Sequence, residues 1–551
     1  MIRFSISKTP ALPHIPGECA WNAIDAGYVL SYNTAASICV ATEDVLNNWN
    51  NRNPGRYATS ESVMGYGLQE FTLDKSCAAA PLRERTKCAD AYAESGGTWT
   101  QVGSDIDGEA EYDFSGYSVS MSSDGTRVAI GARLNDGAGD SAGHVRVYSE
   151  SGGTWTQVGS DIDGEAAGDQ VGFSVSMSSD GTRVAISAIY NDGAGDVAGH
   201  VRVYSESGGT WTQVGSDIDG EVAGDLSGWS ISMSSDGTRV AIGATGNDGA
   251  GTTAGHVRVY AESGGTWTQV GSDIDGEAAM DSSAYAVSMS SDGTRVAIGA
   301  PGNDVAGNND GHVRVYAESG GTWTQVGADI DGEAELDHSG HSVSMSSDGT
   351  RVAIGAYGND GGGTGLNAGH VRVYAESGGT WTQVGSDIDG EAATDGSGFS
   401  VSMSSDGTRV AIGAKGSDND VGHVRVYAES GGTWNQVGAD IDGDAANDDG
   451  EPGNGHFGWT VSMSSDGTRV AIGAPYHDNI RGHVRVYEDG SVDEVCACSG
   501  VVEYRLDHDP GLWFRDSKTC HTPDACVCGE QDGEDGIAPL AFPPVCYCHA
   551  G

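Results

Sequence analysis

Three observations predict an all-β fold, a seven-bladed β-propeller of four-stranded antiparallel blades. One short string recurs seven times at near-constant spacing. Each recurrence belongs to a unit with four strand-sized alternating segments, and the order of segments at the two ends of the array is circularly offset.

The string SMSSDGTR ends at Arg127, Arg183, Arg239, Arg295, Arg351, Arg409 and Arg469. HVRVY follows each copy, beginning at His144, His200, His256, His312, His370, His423 and His483, and GGTW carries Trp99, Trp155, Trp211, Trp267, Trp323, Trp381 and Trp434. A period near 56 residues is too long for heptads, tetratricopeptide, ankyrin or leucine-rich repeats.

In the first unit, SVSMS (118–122) alternates small and apolar residues, and Ser123-Asp124-Gly125-Thr126 is a turn. RVAIGA returns with Val128 and Ile130 on one face, so these two strands make a tight hairpin. A loop with Asn135-Asp136-Gly137 leads to HVRVY, and Glu150-Ser151-Gly152-Gly153 turns into TWTQVG, the fourth strand. The first repeated segment met in the chain (91–106) is a fourth strand alone, and the last, His483 to Tyr487, is a third strand with no fourth after it. Blade seven is therefore expected to take its outer strand from the N-terminal side, closing the ring without an open edge.

Composition fits this fold. The 551 residues include Gly 87, roughly twice ordinary usage, and 37% hydrophobic residues, enough for a core joined by tight turns. Lys+Arg 28 against Asp+Glu 79 gives a net charge of -51, which opposes binding to nucleic acid or anionic lipid, since both are held by Lys and Arg. No apolar run is long enough to cross a bilayer, and the first residues lack the apolar core of a secretory leader.

Blade seven holds Phe457-Gly458-Trp459-Thr460-Val461 and then Gly473-Ala474-Pro475; blade four has Gly299-Ala300-Pro301, and blade two Val171-Gly172-Phe173-Ser174-Val175. These segments resemble the FG-GAP repeat, the blade of integrin α-subunit propellers and of many extracellular proteins. The resemblance covers residues 92–488 and implies an extracellular binding or adhesion role. Other copies replace the motif's Phe with Ser, as in Ser115-Gly116-Tyr117. The integrin calcium loop, DxDxDG, lies in the first hairpin; here that hairpin is SSDGT, and Asp124 alone cannot supply six to eight oxygens. SSDGTRVAIG is also similar to the turns of WD40-like and TolB-like propellers, the second family considered.

In an up-and-down blade, loops one-to-two and three-to-four share one side of the disc, and loops two-to-three and four-to-one the other. The first side is nearly invariant (SSDGT, ESGGT), whereas the second varies from blade to blade. The four-to-one loops, DIDGEAAGD and variants, are also densely acidic, and on that side only Arg133, Lys415 and Arg481 are basic. Crowded carboxylates repel one another and invite cations. The candidate cation ligands are Asp105, Asp107, Glu109 and Asp113; Asp161, Asp163, Glu165 and Asp169; and Asp217, Asp219, Glu221 and Asp225. Later blades add Asp273, Asp275, Asp329, Asp331, Asp387, Asp389, Asp440 and Asp442. Hard oxygens on flexible loops suit calcium; diffuse cation attraction and plain Asx-turn chemistry are the competing readings.

The repeated Arg146 and His144 fit blade-to-blade packing, with the guanidinium pairing an Asp or stacking on an aromatic ring, and the repeated tryptophans fit packing too. Ser95-Gly96-Gly97-Thr98-Trp99 is similar to the tail of the sialidase Asp-box but lacks its Asp. His338, His341, His456 and His477 are the non-repeated residues that hint at a unique site.

All cysteines lie outside the repeats: Cys19, Cys39, Cys77 and Cys88 in an N-terminal segment (1–90), and Cys496, Cys498, Cys520, Cys526, Cys528, Cys546 and Cys548 in a C-terminal module (489–551). The propeller is assigned to residues 91–488. Disulfide stapling is expected, with zinc the alternative, and disulfides imply an extracellular or cell-surface setting despite the missing leader. The functional expectation is a binding propeller that offers its acidic variable face to a protein or glycan, with calcium as a possible aid. A secreted hydrolase or lyase and a structural coat protein are the alternatives.

Overall fold

The computed structural model describes residues 98–304, 307–360, 365–416, 421–444 and 455–490, together with the backbone of short strands in the flanks. The chain divides into two units, Gly96–Val492 and the flanking Met1–Ser95 with Asp493–Gly551.

The first unit contains seven antiparallel sheets, one per blade. In blade two, Val171–Met177 pairs with Arg183–Ala188, which pairs with His200–Ser207, and the outer edge is Thr210–Gln213 followed by Ile218–Asp219. Both outer pieces pair with the third strand, so the fourth strand is one element interrupted by a bulge. Alternation buries both faces: Val184 and Ile186 pack with Val145 and Val147 of the preceding blade, and Val201 and Val203 pack with Ile231 and Val240 of the next, while Asp180 caps its turn by accepting from Ser178 Oγ, Thr182 N and Thr182 Oγ1.

Blade seven runs Thr460–Met463, Arg469–Ala474 and His483–Asp489, and its outer strand is Trp99–Gln101. The register pairs Tyr487 with Gln101 and Asp489 with Trp99, and Ile106 sits opposite Val484. The circular offset read from the sequence is thus how the ring closes.

Neighbouring blades are tied by contacts that repeat all the way round. Trp155 Nε1 donates to Val102 O (2.8 Å), Trp211 to Val158 O (2.8 Å), and Trp99 to Val437 O (2.8 Å). On the inner strands, Met177 N donates to Ser120 Oγ (2.9 Å), and Met121 N to Ser462 Oγ (3.0 Å). A backbone ring runs from Ser123 N to Ser179 O and returns from Ser465 N to Ser123 O, both 2.9 Å. Arg127 Nη1 reaches Gly181 O (3.1 Å) and Glu206 Oε2 (3.2 Å), so on the invariant side each arginine offsets an acid of the next blade.

The glycine of the FG-like motif is there for steric reasons. Gly172 has φ +88, and a Cβ on it would lie 2.6 Å from His144 O of the neighbouring blade. Blade four has Ala284 at the same position with φ 72. Ala284→Gly is therefore expected to stabilise the protein by about 1 kcal/mol, and Gly172→Val to destabilise it by roughly 3 kcal/mol or more, both read from denaturant midpoints.

Backbone pairing in the second unit includes a three-stranded sheet of Ser7–Lys8, Tyr28–Ser31 and Ala20–Trp21, and two hairpins. One hairpin joins Val501–Leu506 to Asp509–Ser517, and the other joins Cys526–Gly529 to Val545–Cys548. Among the described residues no helix is long and apolar enough to cross a membrane.

Candidate functional site

The acidic loops entering and leaving each blade meet on the variable side: Leu134 N donates to Asp113 O (3.3 Å) and Val171 N to Ala142 O (2.9 Å). The sequence-predicted cation ligands take four kinds of position there. Asp113, Asp169 and Asp225 are buried loop organisers; Asp113 Oδ2 accepts from Ala110 N (2.9 Å) and Asn135 Nδ2 (3.1 Å). Asp161, Asp217, Asp273, Asp329, Asp387 and Asp440 each accept from the Gln of their own outer strand, as Asp161 Oδ1 does from Gln157 (2.6 Å). Glu109, Glu165 and Glu221 lie toward the third-strand arginine of the following blade.

Among the described residues, groups within 4.8 Å of one another combine carboxylates with a histidine, and in two of them the i, i+2 acids of one loop come together: Asp105, Asp107 and His483; Glu109, His144 and Asp161; His200, Asp217 and Asp219; Glu221, His256 and Asp273; Glu277, His312 and Asp329. At two of these acids mutual repulsion adds to burial. Burial, and then Asp329 and Asp310, raise the Asp331 carboxyl above its ordinary value, and burial with Asp387 does the same at Asp389. Asp217 moves the other way because Arg202 grips both of its oxygens at 2.9 Å. Asp163, Asp275 and Asp442 occupy the short strands after the bulge, as Asp107, Asp219, Asp331 and Asp389 do.

The third-strand arginines pack blade to blade. Arg146 Nη2 donates to Asp107 O (2.7 Å) while its guanidinium lies 5.6 Å from the Tyr148 ring centre, and Arg258, Arg314, Arg372 and Arg425 repeat the arrangement. Beside them the histidines are buried, and desolvation followed by the neighbouring arginine depresses the pKa of His144, His200, His256 and His312. His370 falls to about 4 for the same reasons.

The departures from sevenfold repetition converge elsewhere, at the centre of the disc. The residue after the motif glycine, or after Ala284 in blade four, is aromatic in every blade: Tyr117, Phe173, Trp229, Tyr285, His341, Phe399 and Trp459. Each ring touches the next, with centroids 5.1, 4.9, 5.5, 4.8, 4.6 and 4.9 Å apart, and Trp459 returns to Tyr117 at 5.5 Å. The inner strands thus carry a closed aromatic floor in which every ring is half-buried. Burial raises the Tyr117 hydroxyl to about 12 and lowers His341 to about 3, with Lys415 reinforcing the latter, so both are neutral across the physiological range.

Above this floor stands a tier of non-repeated residues that open the two-to-three loops. Arg133 lies 4.5 Å over the Tyr117 ring and Lys415 3.6 Å over Phe399 and 4.4 Å over Trp459. Tyr357 packs edge-on to His341 (4.5 Å) and lies parallel to His338 (5.3 Å, 6°). Tyr476 meets Phe114, His456 and Trp459. Ile189, Thr245 and Pro301 open the corresponding loops of blades two, three and four. A cleft of about 510 Å³ opens between blades five, six and seven, lined by Leu336, His338, Tyr357, Thr394, Lys415 and His456, among others. His338 and His456 are oriented by Nδ1 contacts to Pro301 O (3.4 Å) and Lys415 O (3.2 Å).

No protein-family profile matches the chain, and no curated protein sequence matches it. Among solved structures it is similar to Kuenenia stuttgartiensis hydrazine synthase, at 13% identity and TM-score 0.43, covering 70% of this chain and 97% of that one. It is also similar to a Bacteroides uniformis protein provisionally described as a 6-phosphogluconolactonase, at 14% identity and TM-score 0.43, covering 60% of this chain and 86% of that one. The propeller assignment rests on the strand pairing itself.

Of the four singled-out histidines, the structure brings His338, His341 and His456 to the mouth, while His477 packs against His483 at 4.4 Å on the outer side of blade seven. The aromatic floor was not anticipated, although an aromatic at one position of all seven repeats was open to view. Among the cysteines, Cys19, Cys39, Cys77, Cys88, Cys496, Cys498 and Cys520 lie outside the described residues. The last hairpin sets Cys526 opposite Cys548 and Cys528 opposite Cys546.

Proposed function

We propose that this chain is an FG-GAP-like extracellular binding propeller whose ligand, a glycan end, docks at the central mouth of the variable face. The observation that carries the reading is the placement of its exceptions. Seven blades repeat the same packing ties, yet Arg133, His338, Tyr357, Lys415, His456 and Tyr476 differ from their counterparts and gather over one aromatic floor. Sugar rings present apolar C–H faces that stack on aromatic rings, while hydroxyls are satisfied by side chains such as Thr394, Asn367 and Lys415 in the same cleft. The acidic rim would disfavour polyanionic glycans and leave neutral or singly charged ends as the favoured class.

A hydrolase or lyase, the second reading, would need an acid or base held against a reacting group at this mouth, for which His338 and His456 are the candidates. His341, the histidine of the floor, is held neutral between Tyr285 and Phe399 and suits packing. Cysteine-rich flanks support an oxidising, extracellular setting.

Two tryptophans, Trp229 and Trp459, belong to the floor and provide the test. Titration with a ligand from a glycan panel is expected to change intrinsic fluorescence, and Trp229→Phe with Trp459→Phe to abolish that change. A ligand that binds without perturbing these two residues would place its site elsewhere, and a protein ligand bound at the same mouth would overturn the glycan assignment alone.

A further inference from the structure

We propose that three blade junctions, Glu109–His144–Asp161, Glu221–His256–Asp273 and Glu277–His312–Asp329, bind zinc or a chemically similar divalent ion through imidazole Nδ1 and two carboxylates. These sites lie on the outer part of the acidic face, apart from the mouth, and do not depend on the glycan reading.

At the first junction, His144 Nδ1 is 4.0 Å from Glu109 Oε2 and 3.8 Å from Asp161 Oδ2. These separations are too long for hydrogen bonds and close to the roughly 3.3–3.5 Å between two ligands on a tetrahedral zinc with bonds near 2.0–2.1 Å. Each carboxylate has one oxygen already committed and the other directed at the imidazole. Gln157 Nε2 donates to Asp161 Oδ1 (2.6 Å), and Arg146 Nη1 stands 3.6 Å from Glu109 Oε1. Partners of this kind hold metal-ligating carboxylates in place.

The same parts recur at the other two junctions. Gln269 donates to Asp273 Oδ1 and Gln325 to Asp329 Oδ1, both 2.6 Å; Arg258 and Arg314 lie 3.4 Å from Glu221 Oε1 and Glu277 Oε1. His256 Nδ1 is 3.8 Å from Asp273 Oδ2. An independent observation points the same way: His312 is only 1% exposed, and neither of its ring nitrogens has a hydrogen-bond partner. Such a group is costly unless something pairs with it. Glu109 is half-exposed and a cavity of about 320 Å³ opens beside Asp329, so an ion and its water can enter. A nitrogen donor beside two carboxylates favours a borderline ion over calcium. Blades two and seven are left out because Arg202 and Arg485 already occupy Asp217 and Asp105. Blades five and six repeat the outer contacts, with Gln383 on Asp387 and Arg372 near Glu333, and Gln436 on Asp440 and Arg425 near Glu391, and would add at most two further ions.

The test uses the full chain with its cysteines alkylated, dialysed against zinc and, separately, cobalt. Three to five zinc ions per chain are expected, unaffected by excess calcium, with a cobalt spectrum free of thiolate charge transfer. Glu109→Gln, Glu221→Gln and Glu277→Gln, each on a half-exposed side chain, should each remove one ion, and His312→Asn should remove one. Uptake below one ion per chain, displacement by calcium, or a stoichiometry that survives the three glutamate substitutions would overturn the proposal.

Discussion

Deletion of residues 92–106 is expected to lower the thermal midpoint by roughly 5–10 °C and to expose the edge of blade seven. The closing strand supplies the ladder to Tyr487, Glu488 and Asp489, buries Ile106 against Val484, and packs Trp99 against the core around Val424 and Phe457. It also provides Val102 O, the acceptor for Trp155 of blade one, so its loss is felt by two blades. Each buried large apolar side chain is worth about 1.5–3 kcal/mol, and the freed edge offers unpaired backbone groups to other chains. Differential scanning calorimetry with a light-scattering channel reads both effects. An unchanged midpoint in the deleted chain would mean that the ring does not close through these residues.

The second large effect is acid sensitivity. His341 and His370 titrate near 3 and 4 in the folded protein, against 6.5 for an unhindered imidazole, because burial disfavours the charged form. His144, His200, His256, His312 and His483 are shifted in the same direction. Below pH 6.5 the unfolded chain binds protons that the folded chain refuses, so stability falls with pH, beginning near 6.5 and levelling only as the folded-state values are passed. For His341 and His370 the loss between pH 6.5 and 4 is of order 3 kcal/mol each. Aspartates held below their usual range by Arg202 or Arg485, such as Asp217 and Asp105, add a further loss as pH drops through about 3.8 and lower. Urea melts at successive pH values should show the midpoint declining from near pH 6.5; a flat profile from pH 7 to 4.5 would show that these imidazoles are not buried neutral.

Repetition made the scaffold legible. Strand count, blade number and the two unequal faces follow from SMSSDGTR, HVRVY and GGTW, because identical segments must make identical contacts and alternate residues point to opposite sides of a sheet. The closing strand was legible for the same reason. The site was less so. Tyr117, Phe173, Trp229 and their counterparts are separated by a whole blade, and only the closed ring brings them within 5.5 Å. The histidine partners of the acidic loops escaped notice because Glu109, His144 and Asp161 come from three segments, one of them before the blade begins. Cation ligands had been sought within each loop, whereas the groups of carboxylates and histidine draw residues from several segments. In the flanks, spacing alone left the cysteine pairing open; the opposition of Cys526 to Cys548 depends on strand register.

The central claim is that ligand recognition resides where the blades differ, at the mouth, while the repeated parts serve the scaffold. Its most direct test compares glycan-panel capture by the native chain with capture by a chain carrying Tyr357→Thr and Lys415→Thr, the residue blade three already uses as Thr245. The substituted protein is expected to keep its melting midpoint and to lose at least about tenfold in affinity, equivalent to roughly 1.4 kcal/mol. Undiminished capture by that well-folded variant would contradict the account.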